Sequence, residues 1–386
     1  MSRIMSRVVV LGGSNHNTLG MVRSLGRMGV KVTCILYITG KTEFCVRFSR
    51  YVENVYCVKT LEEGVHILLT KCWERGEKNI VLFEGDAIAA TVDLHYDEVK
   101  DKFVTFNAKG KIAYWLDKIN TFSIAEKCGL SLIKTWNIKG GASIPEDITY
   151  PCLLKGGNST TSTKGDMAIC NSKTDLENAI NPKGNYLLQE YIKKEYELDI
   201  VGLSYNQGED VFIPAVVRKI RDDITRQSGC ILLELTKEYP LLPLDQINQF
   251  LRELQYEGIF SIELLYKNGK YYFLEINLRN DGVGYLYTVA GVNYPWLWTL
   301  YAKGDLTNEL LLGVEVKSPC LLVSFNDFKN MLDGKVSFWH WIRDVIQADA
   351  YFIFDWKDFK PFLFTLLIHL RQGWKLIIRK WWKNEE

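Results

Sequence analysis

Acidic, amide and basic side chains alternate in the segment Phe273–Asn280, where Glu275, Asn277 and Arg279 stand at every second position. Successive side chains of a β-strand point to opposite faces, so these three would share a face while the apolar residues between them face a core. Glu263 lies on a preceding apolar segment that is typical of a second strand. Carboxylate and amide oxygens suit Mg²⁺, and an adjacent guanidinium suits the oxygens of a polyphosphate. The pattern predicts a site for a metal-bound polyphosphate; the alternative is a solvent-exposed polar hairpin face.

An Asn268-Gly269 pair lies between these two segments and indicates a β-hairpin. A three-residue loop, with Gly269 in the left-handed conformation, would set Glu263 opposite Phe273 and diagonal to Glu275 on one face. A strict two-residue turn would put Glu263 on the other face. We expect the three-residue loop, which brings the two glutamates together.

The Glu, then Glu-x-Asn-x-Arg arrangement resembles the ATP-grasp superfamily of ATP-dependent ligases. Other segments support this resemblance in chain order over residues 1–310. They are Tyr114–Lys118 and Cys128–Leu130, the strand Tyr150–Lys155, the loop Gly156–Gly165, and Leu188–Ile192 with Glu195–Glu197. The resemblance implies ATP as the nucleotide and Mg²⁺ as the metal, with Mn²⁺ as the alternative. It implies Glu263, Glu275 and Asn277 as the metal ligands.

The resemblance also assigns contacts to the phosphates. Lys118 and Lys155 correspond to the two nucleotide lysines of the family. Lys155 ends an apolar strand directly before two glycines, where packing explains a lysine poorly and a phosphate contact explains it well. Gly156 and Gly157 open a Ser/Thr-rich loop that would close over the phosphates as a lid. A plain mobile loop is the alternative.

The nucleoside contacts are implied for the segment that follows. The linker backbone at Glu190 and Ile192 would hold adenine, and Glu195 or Glu197 would meet the ribose hydroxyls. Those two glutamates alternate along the chain and would share a face, so the sequence does not choose between them. A charged strand edge is the alternative.

Two arginines are the candidate catalytic cations. Arg279 follows the metal ligands on the same face and would stabilise the charge of the transferring phosphoryl group. Arg218 is the second candidate, but Lys219, Arg221 and Arg226 lie nearby and any of them could serve.

The hydrophobic pattern predicts two fold classes along the chain. A strand, a Gly-rich turn, a helix over Thr18–Gly29 and a strand over Val30–Tyr37 form a βαβ unit, which predicts an α/β N-terminal domain over 1–112. Strands joined by hairpins then predict α+β ATP-grasp domains. The Gly-x-Gly-x-x-Gly spacing of dinucleotide-binding domains is missing, so we expect a substrate-side domain at the N-terminus.

We expect the ATP-grasp domains over 113–310, with a small central domain carrying the lid loop at 113–187 and a C-terminal lobe at 188–310. An extension over 311–386 would end in an amphipathic helical tail at 361–383. Its apolar stripe comprises Leu363, Leu367, Leu370, Trp374, Ile377, Ile378 and Trp381, and its basic residues include Arg371, Lys375, Arg379 and Lys383. Docking onto its own domain or a partner subunit is one interpretation. Peripheral contact with the inner face of a membrane is the other.

Three segments are candidate substrate contacts. The turn Gly13–Asn17 and the strand end Glu84–Asp86 follow predicted parallel strands, and open α/β sheets bind ligands at the carboxyl ends of their strands. Asp281–Tyr285 follows the metal strand and should face the acceptor. Ordinary turn chemistry is the alternative for the first two.

Composition excludes several classes of protein. The chain has 386 residues and a net charge of +1, so no global charge points to nucleic acid. Nine cysteines without a Cys-x-x-Cys pair indicate reduced thiols in a cytoplasmic protein, and five scattered histidines argue against a histidine metal centre. No uninterrupted apolar run reaches about 18 residues, so no membrane span is expected. The sequence leaves open whether the protein forms a homodimer.

The resemblance implies a carboxylate–amine ligase, of the D-aspartate ligase type or the carbamoyl-phosphate-synthase-like group. ATP would phosphorylate a small-molecule carboxylate, and an amine would attack the acyl phosphate to form an amide or peptide bond, releasing ADP and phosphate. Two rivals remain. One is an ATP-grasp carboxylase or phosphotransferase with a different acceptor, and the other is a non-catalytic nucleotide-binding module at a membrane.

Overall fold

Three β-sheets organise the protein. The computed structural model describes residues 7–38, 45–74, 78–139, 141, 143–156, 167–181, 184–222, 228–235, 241–324, 327–368 and 370–371. The predicted lid from Gly157 to Gly165, Arg226 and the tail beyond Arg371 lie outside the described residues.

A parallel sheet forms the N-terminal domain. Its strands are β1 (Val8–Gly13), β2 (Val32–Tyr37), β3 (Val52–Val58), β4 (Asn79–Phe83) and β5 (Phe103–Thr105), with helices α1 (His16–Arg27), α2 (Leu61–Lys71), α3 (Asp86–Leu94) and α4 (Tyr96–Lys100). The order is β3-β2-β1-β4-β5, and β1 is buried because it lies in the middle of a sheet with helical crossovers. Helix α1 begins before the predicted Thr18, because the Asn15 side chain caps it by accepting hydrogen bonds from the N–H groups of Asn17 and Thr18.

A small antiparallel sheet follows. Its strands are β6 (Thr135–Lys139), β7 (Cys152–Gly156), β8 (Ala168–Cys170) and β9 (Asn185–Glu190), in the order β6-β9-β7-β8. Helices α5 (Ile112–Trp115) and α6 (Lys118–Lys127) precede it, and α7 (Lys173–Ala179) lies between β8 and β9. Leu154, Leu176 and Leu188 belong to a separate small core. The predicted boundary at residue 188 falls inside β9, because that strand pairs with β6 and β7.

A larger sheet joins the predicted lobe to the predicted extension. Its strands are β10 (Tyr196–Tyr205), β11 (Asp210–Phe212), β12 (Ala215–Asp222), β13 (Ser228–Leu235), β14 (Gly258–Lys267), β15 (Lys270–Asn277), β16 (Cys320–Val323) and β17 (Ala350–Tyr351). Its helices are α8 (Leu244–Leu254), α9 (Gly284–Val289), α10 (Tyr294–Lys303), α11 (Asn308–Leu312), α12 (Asp327–Leu332) and α13 (Phe338–Gln347). The order is β15-β14-β10-β12-β13-β16-β17, with β11 on β10. The chain from residue 311 therefore completes the large sheet rather than forming a separate extension.

The β14–β15 hairpin places Glu263 and Glu275 on one face, as predicted, but Glu263 lies opposite Glu275 rather than opposite Phe273. Its loop has two residues, Asn268 and Gly269, both with positive φ (49° and 77°), as in a type I′ turn. The prediction of a three-residue loop is therefore wrong. A register shift, with Leu274 as the extra residue, then places Glu263 directly opposite Glu275. This β-bulge does what the longer loop was expected to do, because one inserted residue returns the strand to the other face.

The chain beyond β17 returns to the N-terminal domain. Asp358 Oδ2 accepts hydrogen bonds from Arg23 Nε at 3.1 Å and from Ser49 Oγ at 2.8 Å. The Arg23–Asp358 ion pair is almost completely buried. Phe364 stacks on Phe48 with 3.7 Å between ring centroids. Among the described residues, no helix is both long enough and apolar enough to cross a membrane.

We expect Asp358→Ala to lower the free energy of unfolding by about 3–5 kcal/mol, because it leaves the buried Arg23 guanidinium without its counter-ion. Urea denaturation followed by tryptophan fluorescence measures the change. Asp97→Ala, which removes an exposed ion pair with Lys100, is the matched control and should leave the midpoint unchanged. Equal midpoints for the two variants would contradict a stabilising role for the buried pair.

Candidate functional site

The first part of the site lies where α6 meets β15. Asp117 caps α6 by accepting a hydrogen bond from the N–H of Ile119, and this places Lys118 in the first turn. Lys118 Nζ donates to Glu275 Oε2 at 2.9 Å. Burial alone would raise the pKa of Glu275, but the ammonium groups of Lys118 and Lys155 outweigh it and lower this pKa to about 2. Both predicted nucleotide lysines thus act on one predicted metal ligand.

Lys155 reaches this place from the small sheet. It is a buried residue of β7 and lies opposite Leu187 of β9. Gly156 ends β7, whereas Gly157 lies outside the described residues. The small sheet therefore supplies a cation to a site whose acids come from the large sheet.

Three carboxylates meet one ammonium group on the large sheet. Lys219 Nζ contacts Glu197 and lies 3.1 Å from Asp199 Oδ1 and 3.2 Å from Glu263 Oε2. The register pairs Glu197 with Lys219 and Asp199 with Glu263, so these side chains share one face of β10, β12 and β14. Lys194 Nζ approaches Glu197 Oε2 from the linker at 2.5 Å. The cluster therefore depends on the pairing of strands that are distant in sequence.

The surroundings shift the pKa values of these acids in different directions. Burial raises the pKa of Glu263 to about 7; the Lys219 ammonium opposes the shift, and the Glu275 carboxylate adds to it. Burial also raises the pKa of Asp199 well above its usual value, against the pull of Lys219. For Glu197, burial opposes ionisation, but Lys219 and Lys194 lower the pKa to about 2. One face of the sheet thus holds two acids whose pKa values are raised, Glu263 and Asp199, beside Glu197, which stays ionised.

Arg218 does not join this cluster. It pairs with Leu198 across β10, whereas its neighbour Lys219 pairs with Glu197, so the two basic residues point to opposite faces of β12. Arg218 Nη2 instead donates to Glu234 Oε1 at 3.3 Å. Strand register therefore places Lys219, and not Arg218, on the face of β12 that carries the acids.

The linker after β9 carries the predicted nucleoside contacts. Glu190 is the exposed last residue of β9, and Ile192 is half-buried in the linker to β10. Glu195 turns away to the β14–β15 hairpin, where its Oε1 accepts from the N–H of Asn268 at 3.0 Å. Glu197 lies in the acid cluster instead. The structure therefore separates the two glutamates that the sequence left equivalent.

Arg279 links the acidic hairpin to the N-terminal domain. Its Nε donates to Asp86 Oδ1 at 2.9 Å, and its Nη2 donates to Asn277 Oδ1 at 3.0 Å. Asp281 Oδ2 lies 3.5 Å from Arg279 Nη1 and accepts a hydrogen bond from Ser261 Oγ at 2.9 Å. One guanidinium thus contacts a predicted metal ligand and a predicted substrate segment together.

The three candidate substrate segments meet beside this arginine. They are Gly13–Asn17, Glu84–Asp86 and Asp281–Tyr285. Asn280, at the end of the metal strand, donates its N–H to Phe83 O at 3.4 Å and forms a parallel bridge with Glu84. Asn17 Nδ2 donates to Asn280 O at 3.0 Å. The carboxyl ends of β1 and β4 therefore lie against the end of β15.

Glu84 fills the turn before α1. Its Oε1 accepts hydrogen bonds from Gly13 N at 2.6 Å, from Asn15 Nδ2 at 2.7 Å and from Thr18 Oγ1 at 3.2 Å. A Cβ on Gly13 would lie 2.8 Å from Asn15 Nδ2, so a larger residue would have to displace that side chain. The Glu84 carboxylate thus lies beside the N-terminus of α1.

The donor set fits a divalent metal. Glu263 and Glu275 face each other across the hairpin, and Asn277 follows on the same face, which provides the oxygen ligands that Mg²⁺ prefers. Carboxylate oxygens of Glu197, Asp199 and Glu263 also lie within 4.8 Å of one another. The Lys219 ammonium already contacts all three. A metal at either group would have to displace a lysine, Lys219 from the second group or Lys118 from Glu275, so the hairpin set stays our prediction from the sequence pattern.

Sequence reasoning missed part of this arrangement. Lys194 carried no signal, because its neighbour Lys193 is an equal candidate in the sequence. Asp199 was noted only for its alternation with the preceding glutamates, and Lys219 only as a substitute for Arg218. Lys219 can be identified only from its position opposite Glu197, and the sequence does not show how β10 and β12 pair.

Comparison with known proteins confirms the resemblance read from the sequence. Residues 124–295 match the family model for the ATP-grasp domain, so the chain contains an ATP-grasp domain. The chain is 20% identical over 315 residues to D-aspartate ligase of Enterococcus faecium, covering 74% of each protein. The crystal structure of L-amino acid ligase from Bacillus licheniformis is similar with a TM-score of 0.61 and 16% identity, covering 77% of this chain and 75% of that chain.

An ADP complex of N5-carboxyaminoimidazole ribonucleotide synthetase is also similar, with a TM-score of 0.65, 16% identity and 87% of each chain covered. At these identities the structural similarities establish the fold alone. ATP-grasp proteins use ATP with Mg²⁺, and the family includes ligases that form carbon–nitrogen bonds.

We expect Mg²⁺ to bind more weakly as the pH falls through about 7, because protonation of Glu263 removes a carboxylate ligand. The loss should approach about tenfold per pH unit below the pKa. Isothermal titration of Mg²⁺ into the ADP complex between about pH 6 and about pH 8 measures it. Glu263→Gln is the control, because it lacks the titrating carboxylate. Any pH dependence of its Mg²⁺ binding therefore comes from ADP. The same pH dependence in both proteins would exclude Glu263 as a titrating ligand.

We expect Glu275→Gln to lower the rate of ADP formation by about a hundredfold or more while the melting temperature changes little, because metal and phosphate charge are no longer held. Glu195→Gln is the matched control, since Glu195 lies at the hairpin turn and should leave the rate nearly unchanged. Steady-state assays with saturating substrates compare the two. A Glu275→Gln protein of near-normal rate would remove this residue from the site.

Proposed function

We propose that this protein is an ATP-dependent carboxylate–amine ligase, which forms an amide or peptide bond through an acyl phosphate and releases ADP and phosphate. The observation that carries the proposal is the bridging position of Arg279. It contacts Asn277 beside the paired glutamates and Asp86 in the N-terminal domain. A phosphoryl group held at the hairpin and a carboxylate held at the N-terminal domain would both reach this guanidinium.

Charged side chains form most of the phosphate end of the proposed site. Glu263, Glu275 and Asn277 would hold Mg²⁺, or Mn²⁺ as the alternative, which neutralises phosphate charge and orients the terminal phosphoryl group when bound. Lys118 and Lys155 would bind phosphate oxygens. Lys118 would have to leave Glu275 to do so, and the metal would replace it as the counter-charge of that carboxylate.

The nucleoside end would lie along the linker between the two antiparallel units. The backbone at Glu190 and Ile192 would hold adenine, with Gly156 and Gly157 opening the lid over the phosphates. Glu197 is the proposed ribose contact, because Glu195 is engaged at the hairpin turn. Arg279 is the proposed catalytic cation, with Lys219 in place of Arg218 as the second basic group facing the acids.

The proposed chemistry needs no nucleophilic side chain. A carboxylate oxygen of the substrate attacks the terminal phosphorus of ATP, the bond to the bridging oxygen breaks, and ADP leaves. The amine then attacks the acyl carbon, the bond to the phosphate oxygen breaks, and the nitrogen gives up one proton as phosphate departs. The protein positions the reactants and offsets their charge.

The filled turn before α1 favours amide formation over carboxylation of a ribonucleotide. The Glu84 carboxylate fills the turn beside the helix N-terminus through its contacts with Gly13, Asn15 and Thr18. A phosphorylated acceptor would have to displace this carboxylate from that turn. Small-molecule carboxylate and amine substrates without a phosphate are therefore the proposed partners. The eight cysteines whose side chains the structure describes are all free, which supports the proposed cytoplasmic location.

We expect ADP release to require a carboxylate and an amine together, with phosphate formed in equal amount. A coupled ADP assay and a phosphate assay should be run on pairs drawn from amino acids, short peptides and amino sugars, with each partner omitted in turn. The Glu275→Gln protein is the control for contaminating ATPase activity. Bicarbonate-dependent turnover without an amine would favour the carboxylase, and ATP binding without turnover on any pair would favour a non-catalytic module.

A further inference from the structure

The last described helix, over 360–368, packs onto the N-terminal domain by one face. Leu363 N donates to Phe359 O at 3.2 Å, which continues the helix from the preceding turn. Pro361 and Thr365 are buried, and Phe364 stacks on Phe48. The buried Arg23–Asp358 ion pair holds the turn before the helix. One face of this helix is therefore packed against the N-terminal domain.

The opposite face of this helix is apolar and exposed. We call it the leucine face; its residues are Phe359, Leu363, Leu366, Leu367 and Leu370, with exposed fractions of 38%, 40%, 43%, 50% and 52%. Their spacing follows the three-and-four-residue period of a helix surface, so they form one stripe. Trp356, 80% exposed, stacks on Phe359 and extends the stripe towards the body. A contiguous exposed apolar stripe of this kind indicates an interaction surface.

The charge of the surrounding sequence identifies the kind of partner. The segment 361–383 contains no acidic residue, although the whole chain has a net charge of only +1. Its basic residues are Arg371, Lys375, Arg379, Lys380 and Lys383, and its tryptophans are Trp374, Trp381 and Trp382. Tryptophan suits the boundary between lipid headgroups and acyl chains, and basic residues suit anionic headgroups.

We propose that the leucine face, with Arg371 at its end, docks onto an anionic phospholipid surface. The leucines would enter the acyl boundary while Arg371 meets the headgroups, as in helices that lie in the plane of a membrane interface. A second copy of this chain is a poorer occupant, because its own basic segment would bring like charges together. The packed opposite face would hold the whole protein close to the bilayer. This docking is independent of the ligase chemistry.

Vesicle sedimentation with the full chain tests the proposal. The vesicles are phosphatidylcholine alone and phosphatidylcholine with phosphatidylserine, at low and high salt. The test variant is the double substitution Leu363→Gln with Leu367→Gln. The matched control is Leu94→Gln with Leu312→Gln, because those leucines are 78% and 88% exposed on other helices. ADP formation and the melting temperature are measured for all proteins to exclude misfolding.

We expect the full chain and the control to sediment with phosphatidylserine vesicles and much less with phosphatidylcholine alone. Binding should weaken as salt rises, because screening reduces attraction between exposed charges. The leucine-face variant should bind about tenfold more weakly or worse, while its melting temperature is unchanged. Failure of the unmodified chain to bind anionic vesicles, or equal binding by test and control variants, would overturn the proposal. Self-association that only the leucine-face variant loses, without vesicle binding, would assign the face to a dimer instead.

Discussion

The Lys219 ammonium is the counter-charge on which the functional face of the large sheet depends. Glu197, Asp199 and Glu263 bring three carboxylates to one place on neighbouring strands, and Lys219 contacts each of them. Taking such groups out of water costs several kcal/mol for each ion unless they are paired. A single cation within ion-pair distance of all three acids offsets part of this cost.

Lys118 and Lys219 affect the pKa values of the paired glutamates to different extents. Lys118 keeps Glu275 ionised, whereas the pKa of Glu263 stays near 7 because burial outweighs the pull of Lys219. Neighbouring carboxyls whose pKa values are pushed apart are typical of sites where charge has to be handled during a reaction. A metal cation bound at the hairpin would therefore release a proton from Glu263.

Local alternation predicted the acidic strand correctly, and pairing between distant strands decided the rest. Glu275 and Asn277 were found because period-two spacing is visible within a few residues. The bulge that brings Glu263 opposite Glu275 was not predicted, because a regular pleat contains no extra residue. The sequence pattern offered only the loop length as a variable. The sequence could not tell whether Arg218 or Lys219 faces the acids for a related reason: the two adjacent residues exchange faces with any one-residue change of register.

The contact between α1 and the chain beyond β17 has a consequence for biosynthesis. Arg23 and its buried partner Asp358 are 335 residues apart in sequence. Domains usually fold in order from the N-terminus as they emerge from the ribosome. Until Asp358 has been synthesised, the first domain holds a guanidinium without its counter-ion, so its final packing has to wait for the chain that follows β17.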